Sequence, residues 1–306
     1  MSLIRIPSPL ALVLILAALV AGTFPLGHGA EEPPPPRPWE RLSTATIGAD
    51  AFLADHPTWD GRGVVIAVLD TGVDPLLAGL QETATGEPKL VDFRDFSGEG
   101  DVALSDATWD EDEHGAGLRG PEADGRWLRG ATRIREAAAE GSVKIGFLLE
   151  QDLQNSAVSD LDGNGTTGDV FGVVVYATAE NEGTERRIVV DTDGDGRLND
   201  EETRADFAHD PRTFTLGAEA RREATAPLGI ALNLWEDDPD KVTFVFDDGA
   251  HGSHVAGIAA GYRIGGQEGQ NGIAPGAQVI SLKLGNNELS GGATTTSRLE
   301  RFKTPL

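Results

Sequence analysis

Two apolar runs are the most regular features of the chain. Residues 64–69 lie between Gly63 and Asp70, and residues 279–284 follow a turn rich in Gly and Pro. Continuous runs of aliphatic and β-branched residues are typical of parallel strands that are buried on both faces. The pattern therefore predicts two central strands of a parallel sheet.

A stretch of small and aliphatic residues, 251–261, precedes the second run and contains His251 and His254. We interpret it as a helix whose Gly and Ala positions let another backbone approach closely. A strand, a helix and a further strand in this order indicate the α/β fold class.

The segment between the first strand and this helix has a different pattern. It contains a possible helix at 132–140 and two β-like runs, 170–178 and 187–190, whose spacing predicts a hairpin. We therefore assign residues 98–243 to a long α+β insertion. The core is assigned to residues 61–97 and 244–306.

The amino-terminal residues have the pattern of a targeting segment. Residues 1–30 contain Arg5 and an uncharged apolar run at 10–21, which together predict a signal peptide. Residues 31–60 begin as a Pro-rich linker and continue as an arm with a short helix near 47–54. We expect a secreted or periplasmic protein that leaves the membrane after signal cleavage, with a retained membrane anchor as the alternative.

Composition narrows the partners and cofactors. Asp and Glu number 50 against 25 Lys and Arg, which gives a net charge of −25. Such a charge repels nucleic acid and anionic membranes and suits divalent cations. The chain has no cysteine, so disulfides, thiolate nucleophiles and Cys-based zinc sites are excluded. The sequence does not define an oligomeric state.

Residues 191–202 fit the twelve-position calcium loop. The predicted ligands are three monodentate carboxylates, one backbone carbonyl and one bidentate closing carboxylate: Asp191, Asp193, Asp195, Arg197 and Glu202. A structural Ca²⁺ site is therefore expected, and an acidic turn without metal is the alternative. A similar run at 160–165 has Phe171 where the closing carboxylate belongs, so it is the weaker match.

Asp70 and His251 form the candidate catalytic pair. Functional groups of open α/β sheets collect just past the carboxyl ends of strands, where Asp70 lies. A histidine at a helix start is biased toward its neutral form, which a general base requires. An aspartate that orients such a histidine is found in Asp-His-Ser relays.

Three motifs carry a resemblance to a known family. Residues 65–74 resemble the aspartate motif of subtilases (subtilisin-like serine peptidases), residues 251–257 their histidine motif, and residues 271–277 the loop before the next core strand. The resemblance implies a doubly wound, mostly parallel sheet and hydrolysis of peptide or protein substrates. It also implies that Asp70 orients the general base His251, and that His254 is a structural residue on the packed side of the helix.

The separation of the two motifs in the sequence indicates which branch of the family the chain resembles. Asp70 and His251 are 181 positions apart, and an insertion here is characteristic of the tripeptidyl peptidase II branch. That branch uses a glutamate after the last strand to hold the amino terminus of the substrate. Ala293 stands there and Glu288 is out of register, so an endopeptidase is an equal alternative.

The sequence contains no Gly-Thr-Ser nucleophile motif and no later oxyanion-hole Asn motif. Ser253, Ser290 and Ser297 lie in other contexts. We therefore expect an amino-terminal half of a subtilase domain that is inactive alone and poorly soluble, because a serine peptidase needs an attacking hydroxyl.

Two other functions fit parts of the sequence. A calcium-binding secreted pseudoenzyme or binding module would keep the fold without the nucleophile. An aspartic peptidase would use Asp70-Thr71-Gly72, although Val73 stands where Ser or Ala is expected. That hypothesis leaves His251 without a role.

Overall fold

A computed structural model describes residues 44–113, 115–121, 126–153, 156, 158–178, 185–217 and 228–285. Among these, no helix is long and apolar enough to cross a membrane. The predicted signal peptide, the Pro-rich linker up to residue 43 and the predicted hairpin loop at 180–183 lie outside the described residues. So do Glu288, Ser290, Ala293 and Ser297.

The described residues contain short helices and many strands. The helices are α1 (Ala49–Asp55), α2 (Thr132–Ala137) and α3 (His251–Ala260), with 3₁₀ turns at Glu150–Leu153 and Ile264–Gly266. The strands are β1 (Val65–Asp70), β2 (Leu90–Asp95), β3 (Asp101–Ala103), β4 (Ser105–Asp106), β5 (Thr108–Asp112), β6 (Gly115–Arg119), β7 (Trp127–Leu128), β8 (Lys144–Leu149), β9 (Val170–Ala177), β10 (Arg186–Val190), β11 (Thr203–Arg204), β12 (Ala231–Leu234), β13 (Lys241–Val245) and β14 (Gln278–Lys283).

The parallel sheet has the order β1-β14-β2, and both pairings are parallel. Asp70 lies opposite Lys283, and Lys283 lies opposite Asp95, so the three strands end together at one edge. Helix α3 packs on one face of this sheet through small residues. Among them Ala256 and Ala260 join a core that includes Val68 of β1. The predicted α/β class with a parallel sheet is confirmed.

The prediction that β1 is buried on both faces is wrong for the described residues. Val65, Ala67 and Leu69, which alternate along the strand, are exposed, and only Val68 of β1 is buried. Strand β1 is at the end of the described strand order, and no described helix covers that face. An apolar run shows that a strand is suited to burial on both faces, but not which element covers each face.

Residues 98–243 supply three antiparallel sheets. Their orders are β11-β10-β9-β8-β4, β12-β13-β3 and β5-β6-β7, with β13 continuing to Val245. Strands β9 and β10 pair antiparallel, as the predicted hairpin requires. The possible helix at 132–140 is shorter, and α2 ends at Ala137.

The insertion packs directly on the parallel sheet. The ring of Phe207 contacts that of Phe93 edge-on, with 4.7 Å between centroids. The side-chain amide of Asn233 donates to the backbone oxygen of Phe93 at 2.6 Å. Asp206 forms an ion pair with Arg94 on β2 at 3.1 Å. The insertion is therefore fixed against β2, in the same sheet as the strand that carries Asp70.

Candidate active site

Asp70 is the last residue of β1 and lies at the carboxyl edge of the parallel sheet. Its Oδ1 accepts a hydrogen bond from the backbone N–H of Thr71 at 2.8 Å. Its backbone oxygen accepts from the N–H of Leu284 at 2.8 Å. The strand end and the chain beyond β14 thus hold the carboxylate in one orientation.

His251 is the first residue of α3, and its ring contacts this carboxylate. Nδ1 of His251 lies 2.7 Å from Oδ1 of Asp70. An ionised carboxylate only accepts hydrogen bonds, so Nδ1 carries the proton when the ring is neutral. The Asp70 side chain is 15% exposed and that of His251 is 68% exposed. Nε2 therefore has a lone pair to accept a proton from a group outside.

Two glycines allow the helix to approach β1 so closely. A Cβ on Gly252 would lie 2.0 Å from the backbone oxygen of Gly72. Gly72 has φ +118°, and a Cβ there would lie 2.9 Å from the backbone oxygen of Phe246. Only glycine fits at both positions, since real Cβ atoms do not approach backbone this closely. The contact between His251 and Asp70 depends on this packing.

The structure corrects the expected position of His254. His254 is exposed, whereas Gly252, Ser253, Ala256 and Ala260 form the buried face of α3. Residues three apart on a helix share a face, so His254 lies on the exposed side with His251. Of the two histidines of α3, only His251 has its imidazole at the sheet edge.

Asp70 has the partner that a serine-peptidase relay requires. An aspartic peptidase pairs two carboxylates, and the sequence contains a single Asp-Thr-Gly triplet. Within the part of the chain that the structure describes, the carboxylate of Asp70 contacts the imidazole of His251. The aspartic-peptidase hypothesis therefore has no support from the geometry.

The predicted calcium loop brings three carboxylates together. Oxygens of Asp191, Asp193 and Asp195 all lie within 4.8 Å of one another. Gly194 and Gly196 have positive φ angles of 73° and 78°, which make the turn. Burial, together with the charges of Asp193 and Asp195, raises the pKa of Asp191 to about 7. A divalent cation would relieve this repulsion, and three carboxylates are ligands that calcium prefers.

The other two predicted ligands have different surroundings. Glu202 is 64% exposed, and its Oε2 pairs with Arg204 at 3.2 Å and with Arg212 at 3.1 Å. The guanidinium of Arg197 lies 3.7 Å from Asp195. The closing carboxylate of the motif is therefore turned toward arginines. Its neighbour Glu201 is the buried one, and it accepts hydrogen bonds from the N–H and hydroxyl of Thr192.

The weaker loop also gathers carboxylates, but one comes from outside the motif. Glu150, Asp162 and Asp169 form a second group with oxygens within 4.8 Å. Glu150 is fully buried in the 3₁₀ turn after β8, and its two oxygens accept from the N–H groups of Leu161 and Asp169. Phe171 instead belongs to the hydrophobic core. A local motif search misses Glu150, because it is distant in sequence.

Sequence patterns also missed the polar residues around the pair. The hydroxyl of Thr71 accepts from the N–H of Gly252 at 3.2 Å. Lys283 is fully buried at the end of β14 and donates to Glu99 at 2.5 Å and to the backbone oxygen of Phe246 at 2.9 Å. Thr71 lies within the aspartate motif, but its partner on α3 is defined only by the fold.

The sequence is similar to a known family and to individual known proteins. The profile described as the subtilase family matches residues 61–303. Tripeptidyl-peptidase 2 of Arabidopsis thaliana is 30% identical over 302 residues, which cover 82% of this chain and 21% of that protein. Pyrolysin of Pyrococcus furiosus is 27% identical over 285 residues, which cover 79% of this chain and 20% of that protein.

A solved structure has a similar fold. The crystal structure of tripeptidyl peptidase 2 matches with a TM-score of 0.56 and 20% sequence identity. The match covers 82% of this chain and 22% of that one. The chain thus spans about a fifth of the length of the relatives that it matches.

Proposed function

Since this chain belongs to the subtilase family, we propose that it supplies the aspartate and the histidine of a serine peptidase that hydrolyses peptide bonds. The observation that carries the proposal is the 2.7 Å contact between Nδ1 of His251 and Oδ1 of Asp70. A relative named tripeptidyl-peptidase 2 supports it, and no geometry in the described residues favours a binding module instead.

Each side chain has a defined role in this proposal. Asp70 keeps the proton of neutral His251 on Nδ1, so that Nε2 accepts the proton of an attacking serine hydroxyl. The ring is then an imidazolium, and the Asp70 carboxylate stabilises its charge. His251 later returns the proton to the leaving amine. Most of the histidine side chain is exposed, as a group that meets a substrate must be.

The nucleophile is not provided by a Gly-Thr-Ser motif within these 306 residues. Ser253 is buried, and its hydroxyl is used by Asp247 and by the N–H of Asp74. We propose that the attacking serine belongs to polypeptide outside this sequence. The 306-residue chain alone is then inactive.

Labelling with a fluorophosphonate probe tests both statements. The isolated 306-residue chain should not react, whereas the product of the full open reading frame that encodes it should be labelled at one serine. His251→Ala and Asp70→Asn should lower peptide hydrolysis by that product at least about 10³-fold. His209→Ala, which changes an exposed histidine of the insertion, is the matched control. Unchanged hydrolysis in His251→Ala would refute the proposal.

The choice of substrate distinguishes an enzyme that releases tripeptides from one that cleaves internal peptide bonds. A tripeptidyl enzyme needs a free substrate amino terminus, so an amino-acetylated peptide should be cleaved only by an endopeptidase. A relative named tripeptidyl-peptidase 2 matches the chain, but Ala293 stands where the glutamate of the tripeptidyl peptidase II branch was expected. We propose internal cleavage as the activity, and loss of all cleavage on acetylation would refute it.

We propose in addition that Asp191, Asp193 and Asp195 hold a structural Ca²⁺ ion. The support is the closeness of their oxygens and the burial of Asp191. Arg197 can add its backbone carbonyl, and Glu202 would have to leave its arginine partners to close the site.

Melting in the presence of Ca²⁺ or a chelator tests this site. Calcium that binds only the folded chain should raise the melting temperature in a concentration-dependent way. Asp193→Asn should abolish the increase, and Glu202→Gln should leave most of it if the arginines keep that side chain. Asp50→Asn, an exposed acid on α1, is the control. Equal melting curves with calcium and chelator would exclude the site.

Residues 1–30 are proposed to direct export, because a short apolar run follows Arg5. The mature protein should then begin after Gly22 or Ala30. Amino-terminal sequencing of the protein from its source tests this. A start at Met1 would favour a retained anchor or no export.

A further inference from the structure

The loop that leads into α3 contains a buried carboxylate, Asp247, which the proposed catalytic steps do not use. Asp247 is 6% exposed. Its Oδ1 accepts hydrogen bonds from the backbone N–H groups of Gly249 at 3.0 Å and Ala250 at 3.1 Å. The carboxylate therefore fixes the two residues that precede His251.

The same carboxylate reaches the loop after β1. The hydroxyl of Thr71 donates to Oδ1 of Asp247 at 3.3 Å, and its oxygen accepts from the N–H of Gly252 at 3.2 Å. Thr71 directly follows Asp70. The residue after the aspartate and the residue after the histidine are thus connected through one hydroxyl, which Asp247 orients.

A second path joins Asp247 to α3. The hydroxyl of Ser253 donates to Oδ2 of Asp247 and accepts from the backbone N–H of Asp74 at 2.8 Å. Ser253 is on the buried face of α3. Both oxygens of Asp247 therefore connect the amino end of the helix with the loop at 71–74.

The backbone just before His251 requires such support. Ala250 has φ +56° and ψ −9°, a left-handed conformation that costs an L residue other than glycine about 1 kcal/mol. Strained residues persist only where the surroundings hold them in place. The bond from the N–H of Ala250 to Asp247 does so. This conformation sets the direction in which α3 starts and hence the position of His251.

The start of α3, Lys283 and Asp74 also lie near the loop that contains Asp247. A carboxylate near a helix start meets the positive end of the helix dipole. Lys283 anchors the neighbouring backbone oxygen of Phe246 at 2.9 Å. Burial raises the pKa of Asp74, and the charge of Asp247 raises it further by a smaller amount.

We propose that Asp247 is a positioning residue for His251. It acts through Thr71, Ala250 and Ser253, and it keeps Nδ1 of His251 on Asp70. This inference rests on the proposed function, in which that contact prepares the general base.

Nuclear magnetic resonance of the product of the full open reading frame, labelled with ¹⁵N in its histidines, provides the test. The Nδ1 proton of His251 reports the contact with Asp70, and its exchange with water is measured in each variant. Asp247→Ala should speed this exchange at least about tenfold, a change equivalent to about 1.4 kcal/mol in the stability of the contact. Asp247→Asn should keep exchange slow, because its amide oxygen still accepts from Gly249 and Ala250.

Two further variants separate positioning from loss of stability. Asp206→Ala removes an aspartate of similar burial that also accepts two backbone N–H bonds, from Ala208 and Leu234. It should destabilise the chain without altering the His251 signal. If Asp247→Ala does not fold, the isosteric Thr71→Val removes only the connecting hydroxyl, and exchange should still become faster.

The outcomes distinguish the two proposals. If Asp70→Asn speeds exchange while Asp247→Ala and Thr71→Val do not, Asp247 is not a positioning residue and the proposed function stands. If Asp70→Asn also leaves exchange unchanged, the catalytic contact itself is absent in solution. Faster exchange in Asp206→Ala equal to that in Asp247→Ala would reduce Asp247 to a general contributor to stability.

Discussion

At the scale of single residues, the candidate site depends on glycines, which have no side chain, as much as on Asp70 and His251. Gly252 lies between the helix and the end of β1, where a methyl group would be 2.0 Å from the backbone oxygen of Gly72. At Gly257, further along α3, a methyl group would meet no atom of another element within 4 Å. The two glycines of one helix therefore differ in what they allow.

Gly252→Ala is expected to destabilise the fold and separate His251 from Asp70. Forcing a methyl group against backbone costs about 1–3 kcal/mol, and the helix must shift to accept it. Gly257→Ala should instead stabilise the chain by up to about 1 kcal/mol, because alanine favours helix. Urea unfolding measures both changes. Equal effects of the two substitutions would contradict the close-approach argument.

Lys89 is a second residue whose role follows from burial. Its ammonium is fully buried and donates to the backbone oxygens of Ala260, Pro275 and Ala277 at 2.6–2.8 Å. Lys89→Met would leave three carbonyls without this donor, at an expected cost of at least about 3 kcal/mol. Lys144→Met, which removes two surface ion pairs, should cost about 1 kcal/mol or less. Denaturant unfolding at neutral pH compares them.

The same residue predicts a pH dependence. Burial lowers the pKa of Lys89 to about 8 from its ordinary 10.5. Between these values the unfolded chain binds more protons than the folded chain, so this contribution to the unfolding free energy increases with pH. The stability difference between wild type and Lys89→Met should therefore widen from pH 8 to pH 10.5. A difference that narrows would show that the three carbonyls keep the lysine charged.

The contact between Asp70 and His251 could be predicted from sequence, because each residue lies in a local motif. The roles of Asp247 and Glu150 could not be predicted, because neither lies in a motif whose chemistry requires it and nothing local marks an acidic residue as buried. Glu202 shows the opposite case. The motif favoured it as a ligand, but Arg204 and Arg212, outside the motif, compete for its carboxylate.

At the scale of elements, the apolar pattern predicted β1, β14, β9, β10 and α3, but not β2 or the other strands of the insertion. The run at 64–69 became β1, and the small-residue stretch became α3. What the pattern did not give is which faces are covered. Val65 and Leu69 are about half exposed, and β1 has no described strand beyond it.

Strand β1 is expected to drive self-association of the isolated chain. An unpaired strand edge with apolar side chains is a template for pairing with another copy. Light scattering should give a mass above the 32.2 kDa of one chain. The double substitution Val65→Lys with Leu69→Lys should return it to that value. Ile47→Lys, at an exposed apolar residue outside β1, is the control and should change little.

A wild-type chain that keeps the mass of a monomer at high concentration would contradict this prediction. So would an equal effect of Ile47→Lys, because any added lysine improves solubility to some degree. If β1 drives self-association, only a charge placed on β1 should prevent it.

At the scale of the whole molecule, the charge of −25 acts on stability. Like charges repel more strongly in a folded chain than in an expanded one. Raising NaCl from about 10 mM to about 150 mM shortens the screening length from about 30 Å to about 8 Å. This increase in NaCl should therefore raise the melting temperature by a few degrees. A chelator is present at both salt concentrations, so that bound calcium does not contribute. A decrease would mean that attractive ion pairs outweigh the repulsion.

The three antiparallel sheets of the insertion have a consequence for how the site assembles. Strand β13, just before α3, pairs with β3, near the start of the insertion, and brings Thr243 opposite Asp101. The chain therefore leaves the parallel sheet and returns beside its point of departure. Loop-closure entropy grows only with the logarithm of length, and a doubling costs about 0.6 kcal/mol. The insertion can thus lengthen or shorten over evolution while the distance between aspartate and histidine stays constant.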